Sequence, residues 1–317
     1  MRAVYLEAGA VSRGDISFVP ITDVVETKFF ENTTEADKYE HIGDAEIVFS
    51  NKIIFDEETF TRLPNLKYIG VCATGYNVID VEAAKRHNVT VTFVPAYSTE
   101  SVCQLAWGLI LECADHICLH NESVKRGDWV KSETFCYWAA PVTELCGKTI
   151  GIIGYGNIGR RVAEVARAFR MQVLVHTAHP EKYEAPEGIR FVALDEIFAQ
   201  SDVISLHCPM TKDTEQLIRR ENIEKMKDGV ILINVSRGGL VNEQDLADAL
   251  RSGKVAAAGA DVVSFEPMKG DNPLLTAPNM CITPHMAWAS VEARTRLIET
   301  VAENLRAYLS GERKNVL

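Results

Sequence analysis

KTIGIIGYGNIGRRVAEVARAF, residues 148–169, reads as strand, glycine turn and helix. The apolar run from Ile150 to Ile153 has no polar alternation, so it fits a strand buried on both faces, as in a parallel sheet. The segment after the turn reads as an amphipathic helix. Gly154, Gly156 and Gly159 give G-x-G-x-x-G in the setting that motif needs. The first glycine permits the tight turn, the second lets backbone approach a pyrophosphate, and the third lets helix pack on strand. Free N–H groups and the positive dipole end of the helix then favour phosphate. The stretch therefore predicts a dinucleotide-binding βαβ sheet.

Downstream, the same alternation continues through QVLVHT, a DEIFAQS helix, DVISLHCP, GVILINV, an EQDLADALRSG helix, AAAGADVV and MCITPH. This is the pattern of a doubly wound sheet. SVEARTRLIETVAENLRAYLSG then predicts a last long helix, which we expect to pack back on the first domain. Upstream, RAVYL, AEIVFS, LKYIGV and VTVTFV read as strands of a separate α/β domain ending near residue 95. From Thr99 to about Lys125 one long helix is expected, with Ser98 or Thr99 as N-cap. The aromatic stretch GDWVKSETFCYWAAPVTEL has no clean period and reads as a protruding arm.

At 317 residues, two domains are the default. The net charge of −11 argues against nucleic acid or an anionic membrane as partner. MRAVYLEAGA reads as a strand rather than a signal peptide, and no stretch reads as a membrane span, so a cytoplasmic protein is expected. Eight cysteines without CxxC pairs are expected to be reduced and mostly buried. His116 and His120 have the i, i+4 spacing of metal ligands but lack an HExxH arrangement, and no metal is expected.

Two positions bear on ligand chemistry. The acid that would hold a ribose 2′-hydroxyl after the second strand is replaced by Thr177, and the arginine of a strict NADP site is absent from Ala178. Cofactor preference between NAD and NADP stays open at this stage. Arg237 follows the buried strand GVILINV, where the carboxyl ends of an α/β sheet meet ligand, and its guanidinium can fork onto a small carboxylate.

GIIGYGNIG, SLHCP, NVSRGGLVNE, GADVVSFEP and TPHMAWAS occur in this order, preceded by ATGYNVID and VPAYSTESV. Together they resemble the D-isomer-specific 2-hydroxyacid dehydrogenase family over the whole chain. NKIIF, CATGYNVID and FCYWAAPVTEL are most similar to its glycerate dehydrogenase (hydroxypyruvate reductase) branch. The resemblance implies an α/β fold of two domains, with a Rossmann-type doubly wound parallel sheet at 100–288 inserted into a smaller flavodoxin-like substrate domain of 1–99 and 289–317. It implies NAD as cofactor, and Thr177 in the acidic position leads us to expect weak discrimination against NADP. The cofactor residues it implies are Gly154, Gly156, Asn157, Ile158, Gly159 and Thr177; His207, Cys208, Pro209 and Thr214; Val235, Ser236 and Arg237; and Asp261, His285 and Ala287. Asp261 would bond the nicotinamide carboxamide.

Arg237, Glu266 and His285 match the family's catalytic set: Arg237 grips the carboxylate and 2-oxygen, and Glu266 hydrogen-bonds the catalytic histidine, His285. Ala73, Thr74 and Gly75 match a backbone nest for the substrate carboxylate. Reduction of a 2-oxoacid needs the same parts: a cation to orient the carboxylate, a hydride donor against C2 and an acid to protonate the oxygen. The resemblance also implies a homodimer through an arm at about 126–147, with Trp138 near the partner subunit's substrate pocket. Hydroxypyruvate/D-glycerate is the expected pair. D-lactate-type and glyoxylate-type reduction, or a nucleotide-sensing corepressor-like binding protein, are the alternatives.

Overall fold

Short runs of β-branched and aromatic residues build the first sheet. Its strands are β1 (Ala3–Tyr5), β2 (Thr27–Phe29), β3 (Ile47–Ser50), β4 (Tyr68–Val71) and β5 (Thr90–Thr92). All pair in parallel, in the order β2-β1-β3-β4-β5. The computed structural model describes residues 1–184 and 186–317. These divide into two units, Met1–Ser98 with Trp288–Leu317, and Thr99–Ala287.

In the first unit every residue of β3 and β4 is buried, because apolar layers cover both faces of the sheet. Tyr5, Phe49 and Tyr68 pack on one face against Leu297, Val301 and Leu305 of the helix Val291–Ser310. Val4, Val48 and Ile69 pack on the other against Phe60 and Ala83. The terminal helix thus closes one face with a stripe at four-residue spacing. Ser290 caps its start by accepting from the Ala293 N–H at 3.2 Å, and Gly311 ends it at φ +80°. The chain end covers the β5 edge: Val316 bridges Thr92 antiparallel, and Leu317 N–H donates to Val91 O at 3.0 Å.

The second unit holds β6 (Thr149–Ile153), β7 (Gln172–His176), β8 (Ile189–Phe191), β9 (Val203–Leu206), β10 (Val230–Asn234), β11 (Val255–Ala260) and β12 (Met280–Ile282). They form one parallel sheet ordered β12-β11-β10-β9-β6-β7-β8. The order reverses between β6 and β9, and that reversal opens a crevice at the carboxyl ends of the strands.

Three expectations need correction. The strands β2 and β8 escaped the sequence reading, because each is three residues long and half-exposed at a sheet edge. The expected long helix from Thr99 is two helices, Thr99–Asp115 and Ile117–Lys125, meeting at a 59° bend. His116 makes the break at φ +49°, and the Glu112 carboxylate accepts the Cys118 N–H at 3.1 Å to start the second helix. Cysteine burial is mixed: Cys72, Cys103, Cys113 and Cys208 are buried, Cys281 is half-buried, and Cys118, Cys136 and Cys146 are exposed.

Candidate active site

The β6–β9 crevice is shaped by glycines whose neighbours leave no room for a side chain. Gly154 ends β6 at φ +100°, and a Cβ there would lie 2.5 Å from Cys208 N and 2.6 Å from His207 O. A Cβ on Gly159 would lie 2.0 Å from Gly154 O, so the helix Asn157–Ala168 packs directly on the turn. Gly156 differs: nothing lies within 4 Å of its Cβ position, and as N-cap it offers no side chain to the helix N–H groups. Open space before uncapped N–H donors is what a pyrophosphate requires. Asn157 turns its side chain to Arg160, accepting at 2.6 Å, while Ile158 packs against the core.

His207 lies at the end of β9, in the same crevice. Its Nε2 shares a 2.8 Å hydrogen bond with Ser205 Oγ, its Nδ1 is buried with no partner among the described residues, and burial pushes its pKa down to about 3. A neutral ring with an open nitrogen suits a polar ligand group. Cys208 is buried, and its carbonyl accepts Ser236 Oγ at 2.5 Å, tying the β9 loop to the β10 loop. Thr214 Oγ1 donates to Pro209 O at 2.8 Å and closes the turn after SLHCP. Val235 is buried in the core. Thr177 is half-buried just beyond β7, with the His179 N–H 3.5 Å from its hydroxyl. These residues fit a bound dinucleotide.

The loops after β10, β11 and β12 carry Arg237, Glu266 and His285. Asn234 turns the chain at the end of β10, accepting from Ser236 N–H at 3.1 Å and donating to Arg237 O at 2.8 Å. Arg237 is exposed, and its Nη1 donates to Ser236 O at 2.8 Å. Gly238 explains the glycine pair after it: a Cβ there would lie 1.9 Å from Val263 C, so the loops after β10 and β11 touch backbone to backbone. That contact brings the Arg237 turn against the segment leading to Glu266. Glu243 holds the segment further, accepting from Ser264 N–H and Oγ and from Asn272 Nδ2 at 2.7–2.9 Å. Sequence reading missed Asn234 and Glu243 as positioning groups, although both stand in NVSRGGLVNE.

His285 and Glu266 meet. His285 Nδ1 lies 2.6 Å from Glu266 Oε2, with both side chains about one-third exposed. His285 has φ +52°, a conformation that costs a non-glycine residue free energy and persists only where its surroundings impose it. Asp261, 1% exposed, imposes it. Its carboxylate accepts from Thr283 Oγ1 at 2.6 Å, Met286 N–H at 2.9 Å and Ala287 N–H at 2.8 Å, and its carbonyl accepts His285 N–H at 2.8 Å. Asp261 therefore holds the histidine loop before it can serve any ligand. Ala287 is pinned on both sides, since its carbonyl accepts Ser101 Oγ at 2.6 Å.

In the first unit, Ala73–Gly75 follow β4. Ala73 O accepts Val94 N–H at 3.0 Å and Thr74 Oγ1 donates to Val94 O at 2.8 Å, which fixes the turn to the segment after β5. Beneath it Cys72 is buried, and burial pushes its thiol up to about 12. In the second unit, the arm is irregular. Trp129 folds onto it, donating to Phe135 O at 3.1 Å, whereas Phe135 is 88% and Trp138 72% exposed. His120, raised in the sequence as a metal candidate, accepts the Ala139 N–H at 3.1 Å and so braces the arm.

A family model described as D-isomer specific 2-hydroxyacid dehydrogenase, NAD binding domain, matches residues 107–287. The chain is 47% identical over 320 residues to a hydroxypyruvate reductase of Blautia hydrogenotrophica, covering 100% of this chain and 99% of that protein. It is 42% identical over 295 residues to a glycerate dehydrogenase of Methylorubrum extorquens, covering 92% of each. Among solved structures, an acyclic imino acid reductase, Bsp5, in complex with NADPH and D-Arg matches all of both chains with a TM-score of 0.87 at 29% identity.

Proposed function

The chain belongs to the D-isomer-specific 2-hydroxyacid dehydrogenase family, and from that premise we propose that it reduces hydroxypyruvate to D-glycerate with NADH. It is an oxidoreductase acting on CH–OH groups, and its second unit is an NAD-binding domain. The observation that carries the proposal is the His285–Glu266 pair, at 2.6 Å, on a loop locked by buried Asp261 at the carboxyl edge of the nucleotide-binding sheet.

NADH, when bound, supplies the hydride. Arg237 orients the substrate carboxylate and 2-oxygen. With Nδ1 held by Glu266, the proton for the nascent alkoxide leaves from His285 Nε2, and the same atom takes it back in the oxidative direction. Glu266 fixes the tautomer and ring orientation for that transfer. Gly154, Gly156 and Gly159 hold the pyrophosphate, and Thr177, which bears no charge to repel a 2′-phosphate, leaves discrimination against NADPH weak.

Names of the two relatives support the substrate. Steady-state kinetics on hydroxypyruvate, glyoxylate and pyruvate, with NADH and NADPH in parallel, test it. Hydroxypyruvate should have the highest kcat/KM, and NADPH should serve less well than NADH but within about a thousandfold. Another 2-oxoacid ranking first would end the substrate assignment. We also propose a homodimer through the arm, because Val130, Phe135 and Trp138 are each more than 70% exposed and need cover. A monomer in sedimentation at micromolar concentration would refute it, and with it the placing of Trp138 near the partner subunit's substrate.

A further inference from the structure

Between the end of β11 and Pro273 the chain forms no helix or strand, and Glu266 stands in that stretch. Ser264, Phe265 and Pro267 around it are exposed, so packing does little to hold it. Its carboxylate is nonetheless placed on two bonds. Oε2 meets His285 Nδ1 at 2.6 Å, and Oε1 accepts the Val263 N–H at 3.3 Å. A side chain bonded to its own turn is placed only as well as that turn is.

The turn is held from the next helix. Glu243 begins the helix Glu243–Ser252, and its side chain is half-buried. One carboxylate oxygen accepts the Ser264 N–H at 2.7 Å, and the other accepts Ser264 Oγ at 2.7 Å and Asn272 Nδ2 at 2.9 Å. Asn272 in turn accepts the Leu274 N–H at 2.9 Å. Glu243 thus grips both ends of the stretch that carries Glu266. All three donors are neutral, so the negative charge of the acceptor is what makes these bonds strong.

The gripped peptide is also the one on which Gly238 packs. A Cβ at 238 would overlap Val263 C and O and Ser264 N, so the peptide whose N–H Glu243 holds lies directly against the Arg237 turn. The Arg237 side has its own anchor, since Asn234 bonds Ser236 N–H and Arg237 O. The Glu266 side depends on Glu243. In the first unit Glu7, 5% exposed, holds the loop after β3 in the same manner, accepting from Asn51 N–H at 3.3 Å and Lys52 N–H at 2.9 Å, but that loop carries no member of the His285–Glu266 pair.

We propose that Glu243 is a positioning residue for proton transfer, acting by fixing the turn from which Glu266 reaches His285. This rests on the reading of His285 and Glu266 as the proton-transfer pair. Releasing the turn leaves Arg237 on its own anchor and lets Glu266 drift from the ring, so substrate binding survives and the chemical step slows. A misplacement of about 1 Å at a reacting group costs about 10²-fold in rate, which is the ceiling here because Glu266 acts through His285.

The test is a double-mutant cycle in the full-length chain, read as kcat and KM for hydroxypyruvate with NADH. It compares wild type, Glu243→Ala, Glu266→Ala and the double variant, with NADH binding by fluorescence titration as the check on folding. Glu243→Ala should lower kcat by about 10- to 10²-fold, with KM within about threefold of wild type. Glu243→Gln, whose amide oxygen still accepts the Ser264 N–H, should recover much of that loss. In the Glu266→Ala background, Glu243→Ala should lower kcat by no more than about threefold, because the group it sets is gone. Ser264→Ala deletes only one of the three bonds and repeats the cycle in a less disturbed chain, where a loss of up to about tenfold should likewise vanish beside Glu266→Ala. A full additional loss in the Glu266→Ala background would overturn the inference, since Glu243 would then only support the fold. So would a kcat within about twofold of wild type in a Glu243→Ala variant that binds NADH. Wild-type turnover in Glu266→Ala would overturn the reading of the pair, and the inference with it.

Discussion

Asp261 and Glu7 are buried carboxylates at the carboxyl edges of two different sheets, and each clamps the next loop through its backbone N–H groups. They hold different kinds of backbone. Asp261 restrains a loop in which His285 adopts φ +52°, whereas the segment held by Glu7 contains no residue of positive φ. An over-determined clamp is needed where the loop would otherwise relax. Where the loop is already at ease, the clamp only narrows its fluctuations. The first should therefore govern the chemical step, and the second should leave it nearly untouched.

The comparison can be broken at its strongest point. His285→Ala should cut kcat by about 10²–10⁴-fold, since a proton donor acts in the transition state, while NADH binding measured by fluorescence titration stays near wild type. Glu266→Gln should lose less, because the ring keeps a hydrogen-bond partner. If His285→Ala kept wild-type turnover, Asp261 would be holding an ordinary loop and the contrast with Glu7 would vanish.

Next in size is Asp261→Asn. An amide cannot accept from Thr283, Met286 and Ala287 together, and its NH₂ would face donors, so the histidine loop should slacken. A displacement of about 1 Å at the reacting group is worth about 10²-fold in rate. Turnover should fall by that order, with a stability loss of about 1–3 kcal/mol from the unsatisfied N–H groups. The expected signature is a fall in kcat, whereas Glu7→Gln should leave kcat close to wild type. Matching kinetic signatures for the two variants would mean that the strain at His285 is irrelevant.

The smallest effect at neutral pH, and the most diagnostic of burial, concerns His207. Its folded pKa of about 3 lies below the ordinary histidine value, so the folded protein resists a proton that the unfolded chain accepts. The stability associated with its neutral ring is complete above about pH 6.5 and is lost progressively as pH falls towards 3. His207→Asn should flatten the urea midpoint against pH over that window. An equally steep curve in the variant would place the acid sensitivity elsewhere in the unit.

The sequence by itself determined the parallel sheets and the dinucleotide turn, whereas Arg237, Glu266 and His285 were singled out as the expected catalytic set through the family resemblance. The sheets and the turn are legible because burial on both faces leaves an uninterrupted apolar run, and because a G-x-G-x-x-G turn and an amphipathic helix are local patterns. Three-residue edge strands such as β2 and β8 leave too short a pattern, and the break at His116 depends on a backbone angle that no spacing announces. The clamps were out of reach for another reason. Asp261 and Glu7 each follow a strand as an unremarkable acid, and their work is defined by N–H groups 25–26 and 44–45 residues away. Likewise, the glycine at 238 reads as a loop residue until Val263 is brought against it. Only the tertiary structure decides such contacts, because a parallel sheet places consecutive loops beside one another after a full helical crossover, at separations over which sequence periodicity carries no information.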